Sequence, residues 1–400
     1  MYMPRKWLII SGGALVLAVI IAALLAAGII PGLKKRSKLV EMEFWGIDDK
    51  RAWQEIIADY QKENLGVKIN YRRLSADDYE NGVVNALAGA RGPDIMMFQY
   101  DWLPKHGNKI VPADPQTFSV EKLRELFPTA VEQDFAPFGS VYALPLYMDT
   151  LSLLYNKDVF DKKGIALPPK TWKDFTAAAK KLGFGKTAIG GSSQTIDRGA
   201  DILSLLMLQD GVQMTDFTRD GLAALDFYLS FSDPANPNYV WNDQQRHSLA
   251  SFAEGQLGMM LGYRYHSRLI REQSPFLALE IAPAPQLSAD AVDYPFYYGL
   301  AVTAASPFSV EAWKFIGYAA TNRGAVTKYL NFVGELPALR SLIGEVGNVQ
   351  ALSARSWLKI DNQEIDRIFS EMISLILKGK DPSQALTEAE EKVNRLINSP

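Results

Sequence analysis

Three features of the sequence predict an α/β protein of more than one domain behind an apolar N-terminal segment. The chain is 400 residues long, well above what one core requires. From Leu39 onward, strand and helix signals alternate. Ahead of them, Trp7 to Ile30 is an uncharged run of 24 residues dominated by Leu, Ile, Val and Ala.

At about 1.5 Å per residue the apolar run would reach roughly 36 Å, enough for a hydrocarbon core of about 30 Å. The apolar region of a signal peptide is about 7–15 residues and ends in a small-x-small site. Ala26-Ala27-Gly28 offers such a site, but the length favours an uncleaved anchor. Residues 1–38 therefore read as a transmembrane signal anchor and basic linker. Arg5 and Lys6 precede the span and Lys34, Lys35, Arg36 and Lys38 follow it, so the charge rule alone would leave the body in the cytoplasm. No later segment is apolar enough to cross a membrane.

Val40, Met42 and Phe44 alternate with Glu41 and Glu43, as on a strand with one polar face. Trp53, Ile56, Ile57 and Tyr60 follow at helix spacing, and Val67, Ile69 and Tyr71 alternate again after Gly66. Ser75 and Asp78 resemble a capping box ahead of Tyr79, Val83 and Leu87. Gly92-Pro93 breaks the chain before the buried-strand pattern Ile95 to Phe98. The order β-α-β-α-β begins a mostly parallel sheet with helices on its faces. Further on, Thr171 is a cap for a helix from Trp172 to Leu182, and Ile202 to Leu208 is helical. Pro234 to Asn238 reads as a loop, Val302 to Ala305 as a strand, Val310 to Ala320 as a helix, and the last forty residues as helices. There is no internal repeat or low-complexity tract.

An apolar fraction of 48% with 22% charged residues excludes disorder, a coiled coil and a collagen-like repeat. The net charge of −3 is uneven: residues 1–38 hold six basic side chains and no acid, which leaves nine net negative charges on the rest. Such a body is a poor partner for phosphate backbones, so nucleic acid binding is not expected. The absence of cysteine removes disulfides, thiolate metal sites and a lipidated cysteine. His106, His247 and His266 lack ligand spacing, so neither a zinc or histidine-rich site nor a cofactor is expected, although carboxylates alone could hold calcium.

Enzyme motifs fail. Gly183-Phe184-Gly185-Lys186-Thr187 contains the tail of a phosphate-binding loop, but Lys180 stands where its first glycine belongs and a helix precedes it. Gly191-Ser192-Ser193 lacks the closing glycine of a nucleophile elbow. Asp48-Asp49 and Asp77-Asp78 read as first-turn acids of helices, although Asp49 also stands at a strand-to-helix turn, where such sheets bind ligands. The aromatics say more. Trp45 ends the first strand, and Tyr100, Asp101 and Trp102 follow the third. Tyr147 and Asp149, Tyr263 and Tyr265, and Tyr297 and Tyr298 flank other strands or segment boundaries. Flat rings take the apolar faces of sugars while carboxylates and amides take the hydroxyls, so this set suggests an aromatic cleft.

Several motifs carry a family resemblance. Gly92-Pro93-Asp94-Ile95, Tyr142-Ala143-Leu144-Pro145, Leu153-Leu154-Tyr155-Asn156-Lys157-Asp158 and Pro169-Lys170-Thr171-Trp172 are joined by Phe252 to Leu261, Ala284-Pro285 and Glu335-Leu336-Pro337-Ala338. In these the chain resembles the extracellular solute-binding proteins of ATP-binding-cassette importers, in particular the sugar-binding, maltodextrin-binding-like group. The resemblance runs from about residue 40 to 345. It implies a two-lobed periplasmic-binding-protein-like fold of type II, with lobe 1 formed by residues 39–147 and 294–335 and lobe 2 by 148–293 and 336–400. Crossovers are expected at Tyr147 to Thr150, around Asp293, and at Leu336 to Arg340. The resemblance also places Asp49 and Lys50 beside the sugar, makes Asp101 and Asp149 acidic ligand positions, and puts Tyr265 where a stacking tryptophan is common. Tyr263 replaces a glycine and Tyr297-Tyr298 replaces small residues, which would narrow the cleft and suit a short sugar.

The implied function is a monomeric, non-catalytic receptor outside the cytoplasm, held at the cell membrane by its N-terminal helix. It would capture a sugar or oligosaccharide through Trp45, Asp49, Lys50, Asp101, Trp102, Tyr147, Asp149, Tyr263, Tyr265, Tyr297 and Tyr298, and deliver it to an ATP-binding-cassette permease. Three alternatives stand beside it. Adjacent Tyr297 and Tyr298 are of the kind that ligates ferric iron in some such receptors, Asp101 with Asp149 offers two carboxylates to an anchored glycoside hydrolase, and the same body could serve as a sensory domain with no permease.

Overall fold

The computed structural model describes residues 39–213, 216–357 and 361–398. The anchor and basic linker expected over residues 1–38 lie outside the described residues. Among the described residues, no helix is long and apolar enough to cross a membrane.

The first half of the chain builds what its periodicity dictates. Strand β1 (Val40–Gly46) buries Met42 and Phe44 and exposes Glu41 and Glu43. The helix Lys50–Glu63 starts at Asp49, whose Oδ1 accepts the Arg51 N–H at 2.9 Å, and turns Trp53, Ile56, Ile57 and Tyr60 onto the sheet. Strands β2 (Val67–Arg73) and β3 (Ile95–Gln99) run parallel to β1 on either side of it. The helix Tyr79–Ala88 lacks the expected capping box, since Asp78 makes no side-chain cap bond. Its entry is fixed instead by Tyr79, whose buried hydroxyl donates to the carbonyls of Trp45 (2.8 Å) and Met97 (3.1 Å).

Two short strands follow, β4 (Ile110–Val111) and β5 (Leu144–Pro145). The chain then crosses through β6 (Asp149–Thr150) into a second sheet made of β7 (Ser152–Asn156), β8 (Thr187–Ala188), β9 (Met259–Gly262) and β10 (Leu279–Pro283), in the order β10-β7-β9-β8. It returns through β11 (Pro295–Phe296), which pairs antiparallel with β6. Strand β12 (Tyr298–Thr303) then inserts between β3 and β4, completing a first sheet of order β2-β1-β3-β12-β4 with β5 beside β12. The strand expected at Val302 to Ala305 thus begins earlier, at Tyr298, and ends at Thr303. At Gly299 a Cβ would meet the Leu144 carbonyl oxygen at 2.5 Å and the Phe135 ring at 2.7 Å, so the close approach of β12 to β5 requires glycine.

Each sheet has its own apolar core. One is built by residues from Met42 to Met148 and from Tyr297 to Ala354, the other by residues from Leu151 to Tyr294 and from Trp357 to Val393. Ala338, Leu339, Leu342, Ile343, Ala351 and Ala354 were expected in lobe 2 and pack in lobe 1 instead. The segment expected to cross at Leu336 to Arg340 runs alongside the first crossover. The Leu336 carbonyl accepts the Met148 N–H at 3.0 Å, and Asn348 Nδ2 ties the Met148 and Pro337 carbonyls together at 3.0 Å each. The third passage lies near Ala354, which bridges Asp293, and the helices Asn362–Leu377 and Pro382–Asn398 follow.

Candidate functional site between the lobes

A cleft of about 420 Å³ opens between the two cores, with Phe296 of β11 in its wall. The loop after β1 supplies Asp48, the crossover supplies Tyr147, and the helix Arg323–Val333 supplies Tyr329. Glu335 completes this end, faced from lobe 2 by Arg268 of the helix Arg264–Gln273. The other end is lined by Gln99, Tyr298 and Phe296 from one side and by Arg198 and Tyr265 from lobe 2. Asp77, Gln363 and Asp366 also line it.

At the first end the carboxylates are withdrawn from water. Asp48 Oδ2 accepts the Tyr329 hydroxyl at 2.8 Å, and burial raises its pKa above the ordinary carboxylate range. Glu335 Oε1 accepts Arg268 Nη1 at 2.8 Å, and the same nitrogen donates to the Val333 carbonyl. Burial raises the Glu335 pKa against the lowering by Arg268 and Arg264. Asp149 lies behind, accepting the backbone N–H groups of Arg264 (2.6 Å) and Thr150 (2.9 Å). Burial and then the Glu335 charge push its carboxyl well up.

At the second end Arg198 has φ 58° and ψ 31°, a left-handed conformation that side chains other than glycine rarely take. From there Nε and Nη2 reach the Tyr265 hydroxyl at 2.9 and 2.6 Å, and the guanidinium carbon lies 5.4 Å from the Phe296 ring centre. Tyr263 stacks on Tyr265 with centroids 5.9 Å apart and planes at 15°, and its hydroxyl donates to Asp201 at 2.9 Å. His266 holds this turn together. Its Nδ1 accepts the Tyr263 N–H at 2.8 Å, so the ring proton sits on Nε2, 2.6 Å from Asp197. Burial lowers the His266 pKa, in keeping with a neutral ring.

Of the eleven expected site residues, Tyr147, Tyr265 and Tyr298 line the cleft, while Asp149 and Tyr263 stand directly behind it. The others lie elsewhere. Asp49 caps its helix and pairs with exposed Arg51, which holds its carboxyl below the ordinary range, and Lys50 is exposed on the same turn. Trp45 is buried under Arg72, 4.7 Å above its ring. Trp102 packs against Tyr79 in the lobe 1 core, and Asp101 is buried beside it. Tyr297 points the opposite way from Tyr298: its hydroxyl donates to Asp134 at 2.6 Å inside lobe 1, whereas Tyr298 donates to Gln99 at 2.9 Å. The two phenols therefore do not converge on one metal ion, and the ferric alternative loses its ligand pair. Among the described residues, no group of three or more His, Cys, Asp or Glu side chains is placed to hold a metal.

Residues 46–326 match the family described as bacterial extracellular solute-binding protein, and this chain belongs to that family. It is a binding protein rather than an enzyme, which sets aside the hydrolase alternative. The chain is 24% identical over 255 residues to a binding protein of Brucella abortus strain 2308, covering 58% of this chain and 59% of the length of that relative. It is 21% identical over 311 residues to the maltotriose-binding protein of Pyrococcus abyssi, covering 74% of this chain and 66% of that one. In structure it is similar to the sugar-binding protein MalE from Xanthomonas citri, with a TM-score of 0.74 at 19% identity over 90% of this chain and 97% of that one. The GacH receptor of Streptomyces glaucescens gives 0.72 at 17% identity over 90% and 98%. These likenesses establish the two-lobed α/β fold.

Proposed function

We propose that this chain is an extracellular receptor that captures a sugar or short oligosaccharide in the cleft between its lobes and hands it to an ATP-binding-cassette permease. The observation that carries the proposal is the cleft itself. Rings of Tyr147, Tyr265, Phe296, Tyr298 and Tyr329 share it with Asp48, Gln99, Arg198 and Glu335, which is the combination a polyhydroxylated ring with apolar faces requires. Relatives of the same fold support it: structures are known with tagatose, cycloalternan and mannobiose bound, and GacH with acarbose.

Closure by bending at the β6–β11 ribbon would trap the ligand and present a closed form to the permease. The apolar run Trp7 to Ile30 would tether the receptor and keep its concentration high near that partner. A thermal-shift screen against mono- and oligosaccharides tests the central claim. Ligand at a hundredfold excess over its dissociation constant adds about 2.7 kcal/mol to the folded state, so one sugar class is expected to raise the melting temperature. No shift with any sugar would overturn the reading. The tether is tested by fractionation: the full chain is expected with membranes, and a chain beginning at Leu39 in the soluble fraction.

A further inference from the structure

We infer that lobe 1 rests on the lipid bilayer by the end of its sheet where β1 and β2 begin, through an apolar patch of Leu39, Val40, Leu65 and Val67. The inference rests on the tether reading above and is independent of the solute that the cleft takes. The patch is built by the local chain. β1 and β2 run parallel with Val40 beside Val67, and the Val40 N–H donates to the Gly66 carbonyl at 2.9 Å. Leu39 therefore lies next to the turn that joins the helix Lys50–Glu63 to β2. The Val67 N–H closes that turn on the Asn64 carbonyl at 2.9 Å, and Asn64 Nδ2 ties it to the Tyr60 carbonyl, also at 2.9 Å. Leu65 sits at its tip. Turn tips ordinarily take Gly, Asn, Asp, Ser or Pro, yet here a leucine is held out with 87% of its surface exposed, beside Leu39 at 57%. Val40 and Val67 are half-buried between these two and the core. A single exposed leucine would mean little, but adjoining apolar side chains held at one pole mark a contact surface.

What covers the patch follows from the chain ahead of it. The apolar run ends at Ile30, and eight residues, 31–38, join it to Leu39. Fully extended, at up to 3.6 Å each, they reach about 29 Å, so this pole is tied within that distance of the bilayer. Four of the eight, Lys34, Lys35, Arg36 and Lys38, are basic and none is acidic. Anionic headgroups draw such a segment onto the surface, and Leu39 is the next residue. The same headgroups repel the rest of the chain, with its nine net negative charges, which confines the contact to this pole. The charges beside the patch are mixed: Lys62 pairs with Asp59 at 2.8 Å, Lys68 with Glu41 at 2.6 Å, and Glu63 is exposed. From the patch β1 leads toward the cleft. At about 3.3 Å per residue it spans about 20 Å, and Asp48 beyond its end lines the cleft. The contact therefore leaves the cleft clear of the headgroups.

The chain has no cysteine, so one can be placed at each position to be probed. Leu65→Cys, and Phe276→Cys at a fully exposed site of lobe 2, are labelled in the full chain with nitrobenzoxadiazole. Both are reconstituted into vesicles of phosphatidylcholine and phosphatidylglycerol that carry headgroup-spin-labelled lipid. The lipid is expected to quench the probe at 65 at least threefold more strongly than the probe at 276. Equal quenching at the two positions, or none at either while the protein is in the vesicles, would overturn this inference and leave the tether standing. A change at 65 that follows protein concentration rather than spin-labelled lipid would place a second copy of the chain on the patch, and would also overturn it. A full chain that stays out of the vesicles would overturn the tether reading and this inference with it.

Discussion

Asp48 and Asp49 are neighbours in the chain with different fates. Asp49 caps a helix through a local bond that its sequence context announces, while Asp48 meets Tyr329, 281 residues away, and becomes part of the cleft. That contrast explains which site residues were legible. Tyr147, Tyr265 and Tyr298 could be found because aromatic residues at strand ends are a local signal. Arg198, Arg268 and Glu335 depend on partners brought together only by the tertiary fold. Trp45 and Trp102 carried the same aromatic signal, but the lobe 1 core absorbed them. Two predictions belong at this scale. Tyr265→Ala removes the ring that stacks on Tyr263 and the acceptor of Arg198, so sugar affinity measured by calorimetry should fall about tenfold, roughly 1–1.5 kcal/mol. Asp134, buried under Tyr297 and Ser356, has its pKa raised by burial to about 7. A folded-state pKa above the unfolded value of about 3.9 means that stability declines as pH rises from about 4 to about 7. Relative to the native chain, Asp134→Asn should therefore gain about 2–3 kcal/mol between pH 5 and pH 8 in urea unfolding. A pH-independent difference would show that Asp134 is ionised throughout.

The strands and helices with a one-sided apolar pattern were the readable ones. β1, the helix after it, β2 and β3 follow their periodicity closely because each buries one face against its sequence neighbour. The helix Trp172–Leu182 is likewise announced by Thr171, whose Oγ1 accepts the Asp174 N–H at 3.1 Å and donates to the Asp174 carboxylate at 2.8 Å. Thr171→Ala should cost about 1 kcal/mol in a denaturant titration. β12 was misplaced toward its C-terminal end because its first residues, Tyr298 and Gly299, do not read as a strand by pattern. They are held as one by β3 and β5 on either side. Gly299→Ala tests that account. The new methyl would press on the Leu144 carbonyl and the Phe135 ring, and a loss of about 1–3 kcal/mol is expected in chemical unfolding. A neutral substitution would mean that β5 moves aside without cost.

At the scale of the molecule, the two lobes are held together by more than the hinge. Arg268 of lobe 2 pairs with Glu335 at one end of the cleft. On another part of the lobe interface, Glu80 gathers His106 (2.8 Å) and Lys105 (3.0 Å) within lobe 1, and Lys105 and Glu80 reach Asp361 (3.1 Å) and Gln363 (3.0 Å) at the start of the lobe 2 helix Asn362–Leu377. Such partly exposed pairs are each worth about 0.2–1 kcal/mol and are screened by salt. Lys105→Ala should therefore raise the open population up to about fivefold, seen as a larger radius of gyration in ligand-free scattering, and 0.5 M salt should act in the same direction. Two lobes could be inferred from motifs, but the late passage near Ala354 could not, because the bonds of Asn348 that keep residues 336–348 in lobe 1 join distant parts of the chain. The insertion of β12 between β3 and β4 also governs the order in which this protein can be made. A ribosome that has released only the first 290 residues has produced β3 and β4 with no strand between them, and a lobe 1 core without its Leu300 to Val302 centre. The N-terminal lobe, although synthesised first, cannot finish folding until three quarters of the chain has emerged. A nascent chain of this design stays open and threadable late into its synthesis.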